Sequence, residues 1–192
     1  MEATEQKIVN AAIEVFNTDL SANLELVAEQ AGVTRRTLHR YFKDRTQLMD
    51  ACQTEMQYKC RTAMMAAINT STDPLVQLEN MLYAGIDCGS KYAFLDKLQQ
   101  HPPYRQMPDG DEGEFDAVKK HWFAIVGKLQ KAGIISTELT PAWIFVLFGG
   151  MVTTTINALN SGNVARNDIK HFAWFSFSRS VGIQVIAGAQ SS

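Results

Sequence analysis

The chain has no excess of positive charge, few cysteines and no long apolar run, and each shortage excludes something. Its 18 Lys and Arg stand against 20 Asp and Glu, a formal net charge of −2. Bulk charge therefore does not make it a polyanion binder, and any nucleic-acid affinity has to come from a local cluster of cations. Cysteine occurs three times, at Cys52, Cys60 and Cys88, an odd number with no CxxC pair. Free thiols are the expectation. The longest apolar run, 142–152, includes two glycines and is too short to span a bilayer. The opening MEATEQK holds acids and no apolar stretch, so no signal peptide is expected. The expected place is the cytoplasm. There is no strand-period stretch, internal repeat, phosphate loop or Ser-His-Asp order, and His39, His101, His121 and His171 are scattered. Enzyme chemistry is not expected. His101 and the acids Asp109, Asp111, Glu112, Glu114 and Asp116 lack fixed ligand spacing, so neither a metal nor a cofactor is expected.

What is there is enough apolar residue for a core. Apolar types make up 46% of the 192 residues and charged types 20%, which argues against disorder. The length allows a small domain fused to a larger one.

The most informative stretch is 24–48, LELVAEQAGVTRRTLHRYFKDRTQL. Leu24, Val27, Ala28 and Ala31 fall on one helical face. Asn23 is a candidate N-cap, with Glu25 in the first turn where the helix dipole favours an acid. Gly32 stops this helix, because glycine takes the left-handed conformation most cheaply. Thr34 caps a second helix whose buried side is Leu38, Tyr41 and Phe42. Two short helices joined by a Gly-Val-Thr turn form a helix-turn-helix pattern. The second is basic: Arg35, Arg36, Arg40, Lys43 and Arg45 lie close together, opposed by Asp44 alone, with Thr37 and His39 as polar tips. Cations beside small polar and aromatic groups are what phosphate and base-edge contacts require.

The remaining pattern is helical throughout, giving an all-α chain. A helix over 5–17 has Ile8, Ala11, Ala12, Val15 and Phe16 inward and completes a three-helix core with the two short helices. Asp44 caps a long helix from Arg45 to about Ile68, free of proline and glycine. Asp73-Pro74 opens another, to about Gln100, in which Gly85 and Gly89 point to close packing, a kink or room for a ligand. Residues 101–114 read as an irregular stretch. Helices follow over 115–132, from Thr140-Pro141 to about Asn160, and from Asn167 to about Ala187. The expected division is 1–46, a helix-turn-helix domain, and 47–192, a larger helical domain.

The last two helices suggest a second copy of the chain. Residues 143–152 are apolar nearly all round, while Gly149, Gly150, Thr153, Thr154 and Asn157 add small and polar faces. The final helix repeats this with Ser178, Gly182 and Val185 beside Phe172, Trp174, Phe175 and Phe177. Such a pair suits half of an isologous four-helix interface.

On these residues the N-terminal stretch resembles the signature of the TetR family of bacterial transcriptional regulators. The matching residues are Val27-Ala28, Ala31-Gly32-Val33-Thr34, Thr37-Leu38, Tyr41-Phe42, and Arg45 followed by Leu48. The specific likeness spans about residues 5–51. This chain departs from the pattern at Arg36, often a small residue, at His39, usually tyrosine, and at Arg45, often lysine. Arg36 and His39 fall on the base-reading surface, so an operator cannot be carried over from a relative.

The resemblance implies a homodimer that sets the 34–41 helix of each subunit in successive major grooves of a near-palindromic operator. The DNA-contacting set it implies is Asn23, Thr34, Arg35, Arg36, Thr37, His39, Arg40, Tyr41, Lys43 and Arg45. Arg35, Arg36 and His39 would reach base edges; Thr37, Tyr41, Lys43 and Arg45 would hold phosphates. A small-molecule effector in the larger domain would release the repressor from its operator. Candidate lining residues are Met64, Met81, Tyr83, Phe94, His121 and Trp122. An architectural DNA-binding protein on the same fold, without an effector, is the alternative.

Overall fold

A computed structural model describes residues 2–91 and 112–183 of the chain. Among these residues there are eight helices and no strand: α1 (Ala3–Thr18), α2 (Leu24–Gln30), α3 (Arg35–Tyr41), α4 (Arg45–Asn69), α5 (Pro74–Lys91), α6 (Glu112–Lys131), α7 (Pro141–Ser161) and α8 (Ile169–Ser180). The all-α expectation holds. The chain divides into two compact units, whose described parts are 2–60 with 90–91, and 61–89 with 112–183.

In the first unit, capping fixes the ends that the sequence suggested. The Asn23 side chain accepts from the Leu26 amide at 3.0 Å, and the Thr34 hydroxyl accepts from the Thr37 amide at 3.1 Å. Asp44 accepts from the Gln47 amide at 2.9 Å at the start of α4. Between α2 and α3 the chain reverses through Gly32, at φ +64°. There the Val33 amide donates to the Ala28 carbonyl at 2.9 Å and the Gly32 amide to Glu29 at 3.0 Å. This pair of backward bonds consumes two carbonyls the helix end would leave orphaned. The core is Ile8, Val9, Ala12, Phe16, Val27, Leu38 and Leu48, none more than 1% exposed. The seven-residue α2 and α3 are too short to hold themselves folded; burying a shared apolar face supplies the stability.

The second unit is built on Leu78, Met81, Leu82, Trp122, Val126, Ile144 and Phe177. The two glycines of α5 are sites of close packing. A methyl on Gly89 would collide with Ile156 Cδ1, and one on Gly85 would meet Met64 Cε at 3.1 Å and Val152 Cγ2 at 3.2 Å.

Several boundaries differ from the sequence reading. The helix α6 starts at Glu112, inside the stretch read as irregular. The last helix was expected to reach about Ala187, but α8 stops at Ser180. Gly182 (φ +86°) turns the chain, with the Ile183 amide donating to Ser178 at 2.9 Å. Residues 92–100, read as the end of the α5 helix, and most of 101–114 lie outside the described residues. The helix α7 is 21 residues long with mean hydropathy 1.6, long and apolar enough to cross a membrane by length and composition alone. The apolar run within it had looked too short because Thr153–Thr155 and Asn157 interrupt it, although they do not interrupt the helix. Cys60 and Cys88 are disulfide-bonded, which corrects the expectation of free thiols for those two. The absence of a CxxC excludes only local pairing. Cys52 is free and fully buried, and burial, with Glu55 nearby, pushes its thiol up to about 12.

Candidate nucleic-acid interface

Thr34 places the start of α3, and Leu38, fully buried, fixes which way the helix is turned. The opposite side therefore carries Arg36 and Arg40, with His39 at its edge; Arg35 is exposed at the start of the helix, one turn before Leu38, and Lys43 is exposed just beyond its end. Arg35 and Arg36 stand in the first turn, where the helix dipole disfavours a cation. They are not there to stabilise α3. Among the described residues neither Arg36 nor the Lys43 ammonium has a side-chain partner, so both are available to an incoming anion.

The other predicted contacts are engaged within the unit. Arg35 Nη1 donates to Glu25 Oε1, tying the start of α3 to the first turn of α2. The Thr37 hydroxyl lies 2.9 Å from that of Thr34. His39 Nδ1 is 3.3 Å from the Lys43 carbonyl at the end of the helix. The Tyr41 hydroxyl donates to Glu2 Oε2 at 2.9 Å, while Arg40 donates to it at 3.3 Å and lies 5.0 Å from the ring centroid. Asn23 spends its side-chain oxygen on its own helix cap. Arg45 is turned inward: its guanidinium donates to the Ala22 and Leu20 carbonyls and lies 4.3 Å from the Phe16 ring centroid. The pairing of Glu25 with Arg35 and of Glu2 with Tyr41 escaped the sequence reading. Helix spacing relates residues three or four apart, whereas these partners are 10 and 39 apart.

Of the proposed effector contacts, Met81 and Trp122 are buried in one core cluster, with Met64 and Tyr83 packed against it. Trp122 sits among aromatic rings, 4.9 Å from Phe145, 5.2 Å from Phe123 and 5.6 Å from Phe148, all edge-on. Its Nε1 is buried and has no hydrogen-bond partner among the described residues. Tyr83 donates to Glu79 at 2.6 Å, and burial, with that carboxylate, raises its phenol well above the ordinary value. His121 is not brought to this cluster: it is exposed, its Nδ1 2.8 Å from the Ala117 carbonyl. Phe94 lies outside the described residues. One open polar cleft, lined by Asn69, Thr70, Ser71, Thr72, Gln77 and Lys128 with Ile68, contains none of the six.

Two capped helices joined by a glycine turn, the second presenting exposed arginines, define a helix-turn-helix regulator that binds DNA. Residues 8–52 match the family described as bacterial regulatory proteins, tetR family. Over these residues the chain carries the N-terminal, DNA-binding region of TetR-family regulators. It is 27% identical over 165 residues to the HTH-type transcriptional repressor LfrR of Mycolicibacterium smegmatis, covering 84% of this chain and 82% of the relative. It is 22% identical over 167 residues to the HTH-type transcriptional regulator NfxB of Pseudomonas aeruginosa, covering 87% and 88%. Among solved structures it is similar to LfrR in complex with proflavine, with a TM-score of 0.68 at 25% identity over 96% of this chain and 99% of that one.

Proposed function

We propose that the chain is a homodimeric, cytoplasmic repressor, its head 1–46 reading an operator and its body 47–192 taking a small aromatic effector that releases it. The observation that carries the DNA-reading part is the exposed Arg36, without a side-chain partner among the described residues, beside Arg35 on a capped α3. Arg35, Arg36 and His39 face base edges; Tyr41, Lys43, Arg40 and Thr37 face phosphates. Arg35 and Tyr41 give up Glu25 and Glu2 when DNA arrives, exchanging one anion for another.

A large apolar surface supports the dimer. On α7 and α8, which pack against each other, Trp143, Val146, Phe172 and Phe175 are 50–60% exposed. Such a patch on a folded chain marks an interaction site, and two copies meeting across it make a four-helix contact. Pairing there, rather than a bilayer, accounts for the apolar character of α7.

For the effector, the support is the aromatic cluster around the unsatisfied Trp122 Nε1, together with the relative that is seen with proflavine. A planar aromatic molecule stacks among such rings. Its binding favours one arrangement of the body, and the continuous α4, which has residues in both units, carries the bias to the head. By linkage, operator DNA weakens effector binding by the same factor.

Selection of duplexes from a random library tests the whole reading. The recovered sites should be near-palindromes, and proflavine in the binding step should lower recovery. Sites without dyad symmetry would overturn the dimer, and recovery indifferent to a panel of planar aromatics would overturn the effector.

A further inference from the structure

We propose that Arg45 is a positioning residue of the reading head, and that it makes no phosphate contact. The inference rests on the reading of α3 as the DNA-reading helix. Arg45 is the first residue of α4 and is half-buried. Nη1 donates to the Ala22 carbonyl and Nη2 to the Leu20 carbonyl, so the two arms of the guanidinium span the turn between α1 and α2. The central carbon of the group lies over the Phe16 ring, 4.3 Å from its centroid, near the end of α1. One side chain thus binds the end of one helix, the turn after it and the beginning of a helix more than twenty residues later. A phosphate would compete for this group with two carbonyls and a ring.

The carbonyl it holds is well placed to control α2. Ala22 is buried and immediately precedes Asn23, whose side chain caps α2. Within the turn, Asp19 accepts from the Ser21 amide at 2.8 Å and the Ser21 hydroxyl at 2.6 Å, which shapes the turn locally. Arg45 anchors that shaped turn to another helix. Two residues on, in the first turn of α2, Glu25 holds Arg35 at the start of α3 in the free chain. The path from Arg45 to the reading surface is therefore the turn, the α2 cap and the packing of α2 against α3. Lysine cannot replace it: a single ammonium on a flexible stem neither forks across two carbonyls nor stacks flat on a ring.

The test compares the full chain with Arg45→Ala, Arg45→Lys and Lys43→Ala. Each is titrated by fluorescence anisotropy, over a range of salt, with a duplex recovered by selection and with a mixed-sequence duplex of equal length. Both Arg45 variants should bind the selected duplex about tenfold more weakly, the size of one lost base contact. Their binding to the mixed duplex, and the slope of log K against log salt, should stay as in the parent. Lys43→Ala should weaken both duplexes and lower that slope by about one. If Arg45→Ala lowers the slope by about one and Arg45→Lys restores it, Arg45 is a phosphate contact and the proposal is overturned. A lower melting temperature with an unchanged ratio between the two duplexes would make the residue merely structural and would also overturn it. Should the alanine variant not fold, the lysine variant carries the same comparison. If the parent chain enriches no duplex and Lys43→Ala changes no slope, the reading of α3 fails first and takes this inference with it.

Discussion

At the scale of single residues, the surroundings of a cation decide what it does more than its charge. Arg36 and Lys43 project from the reading head without side-chain partners among the described residues, whereas Arg45 is folded against carbonyls and a ring. Arg36→Ala should relax the preference at one operator base at a cost of about 1–3 kcal/mol, readable as a changed consensus in a repeat of the selection. Its salt slope should stay near that of the parent, in contrast to Lys43→Ala. Cysteine chemistry follows the same rule. Cys52 is fully enclosed and its thiol is pushed from 9.0 up to about 12, so the folded state keeps the proton longer than the unfolded state. The sign is then fixed: the contribution to stability is complete below pH 9 and is lost as pH rises towards 12. Urea unfolding of the parent and Cys52→Ala across pH 8–11 checks this. The parent should lose stability relative to the variant above pH 9, and parallel curves would show that the site titrates normally.

At the scale of elements, the ends of helices were legible where short-range chemistry sets them. Asn23, Thr34, Asp44 and Thr140 cap as their residue types suggest, and Gly32 takes the left-handed turn between α2 and α3. Gly32→Ala should cost about 1–2 kcal/mol, because a Cβ at positive φ is strained even though nothing lies within 4 Å of it. Glycines inside helices behave in another way. Gly127 has no described atom where a methyl would go, so Gly127→Ala should gain up to about 1 kcal/mol from helix propensity. At Gly85 the same change meets Met64 and the stiff, branched Val152, and the gain should vanish. Equal effects at 85 and 127 in thermal unfolding would remove close packing as the reason for Gly85. The overrun of the last helix shows what periodicity cannot distinguish. Val181 and Ile183 are buried as a helical pattern requires, yet both lie beyond the end of α8, since a turn can bury apolar residues as well as a helix can. The basic face of the candidate site was legible because it is local, being set by Thr34 and Leu38. The inward turn of Arg45 was not, because its carbonyl partners are 23 and 25 residues away and no spacing rule connects them.

At the scale of the whole molecule, in the proposed dimer each head recognises half of a near-palindrome, so affinity would depend on holding two heads together. The second head then binds at the high effective concentration set by the first. The surface proposed to hold the copies is apolar at its centre, with Trp143 53%, Val146 60%, Phe172 50% and Phe175 51% exposed. Polar groups border it: His171 sits 6.0 Å from Phe172, and Arg179 is 5.6 Å from the Phe175 ring centroid. Exposed side chains of this size add little to the fold of one chain, so replacing one with a charge should disturb the pairing before it disturbs the core. Phe175→Glu is suited to the test because the ring points away from the buried Trp174 and Phe177 beside it on α8. In sedimentation at micromolar concentration the parent should run as a dimer and Phe175→Glu as a monomer with unchanged helical circular dichroism. On the selected duplex the variant should lose most of its affinity, while a duplex carrying one half-site should bind parent head and variant head alike. A parent that sediments as a monomer would leave the apolar face of α7 and α8 to some other partner. A variant that stays dimeric would place the contact between copies elsewhere on the chain.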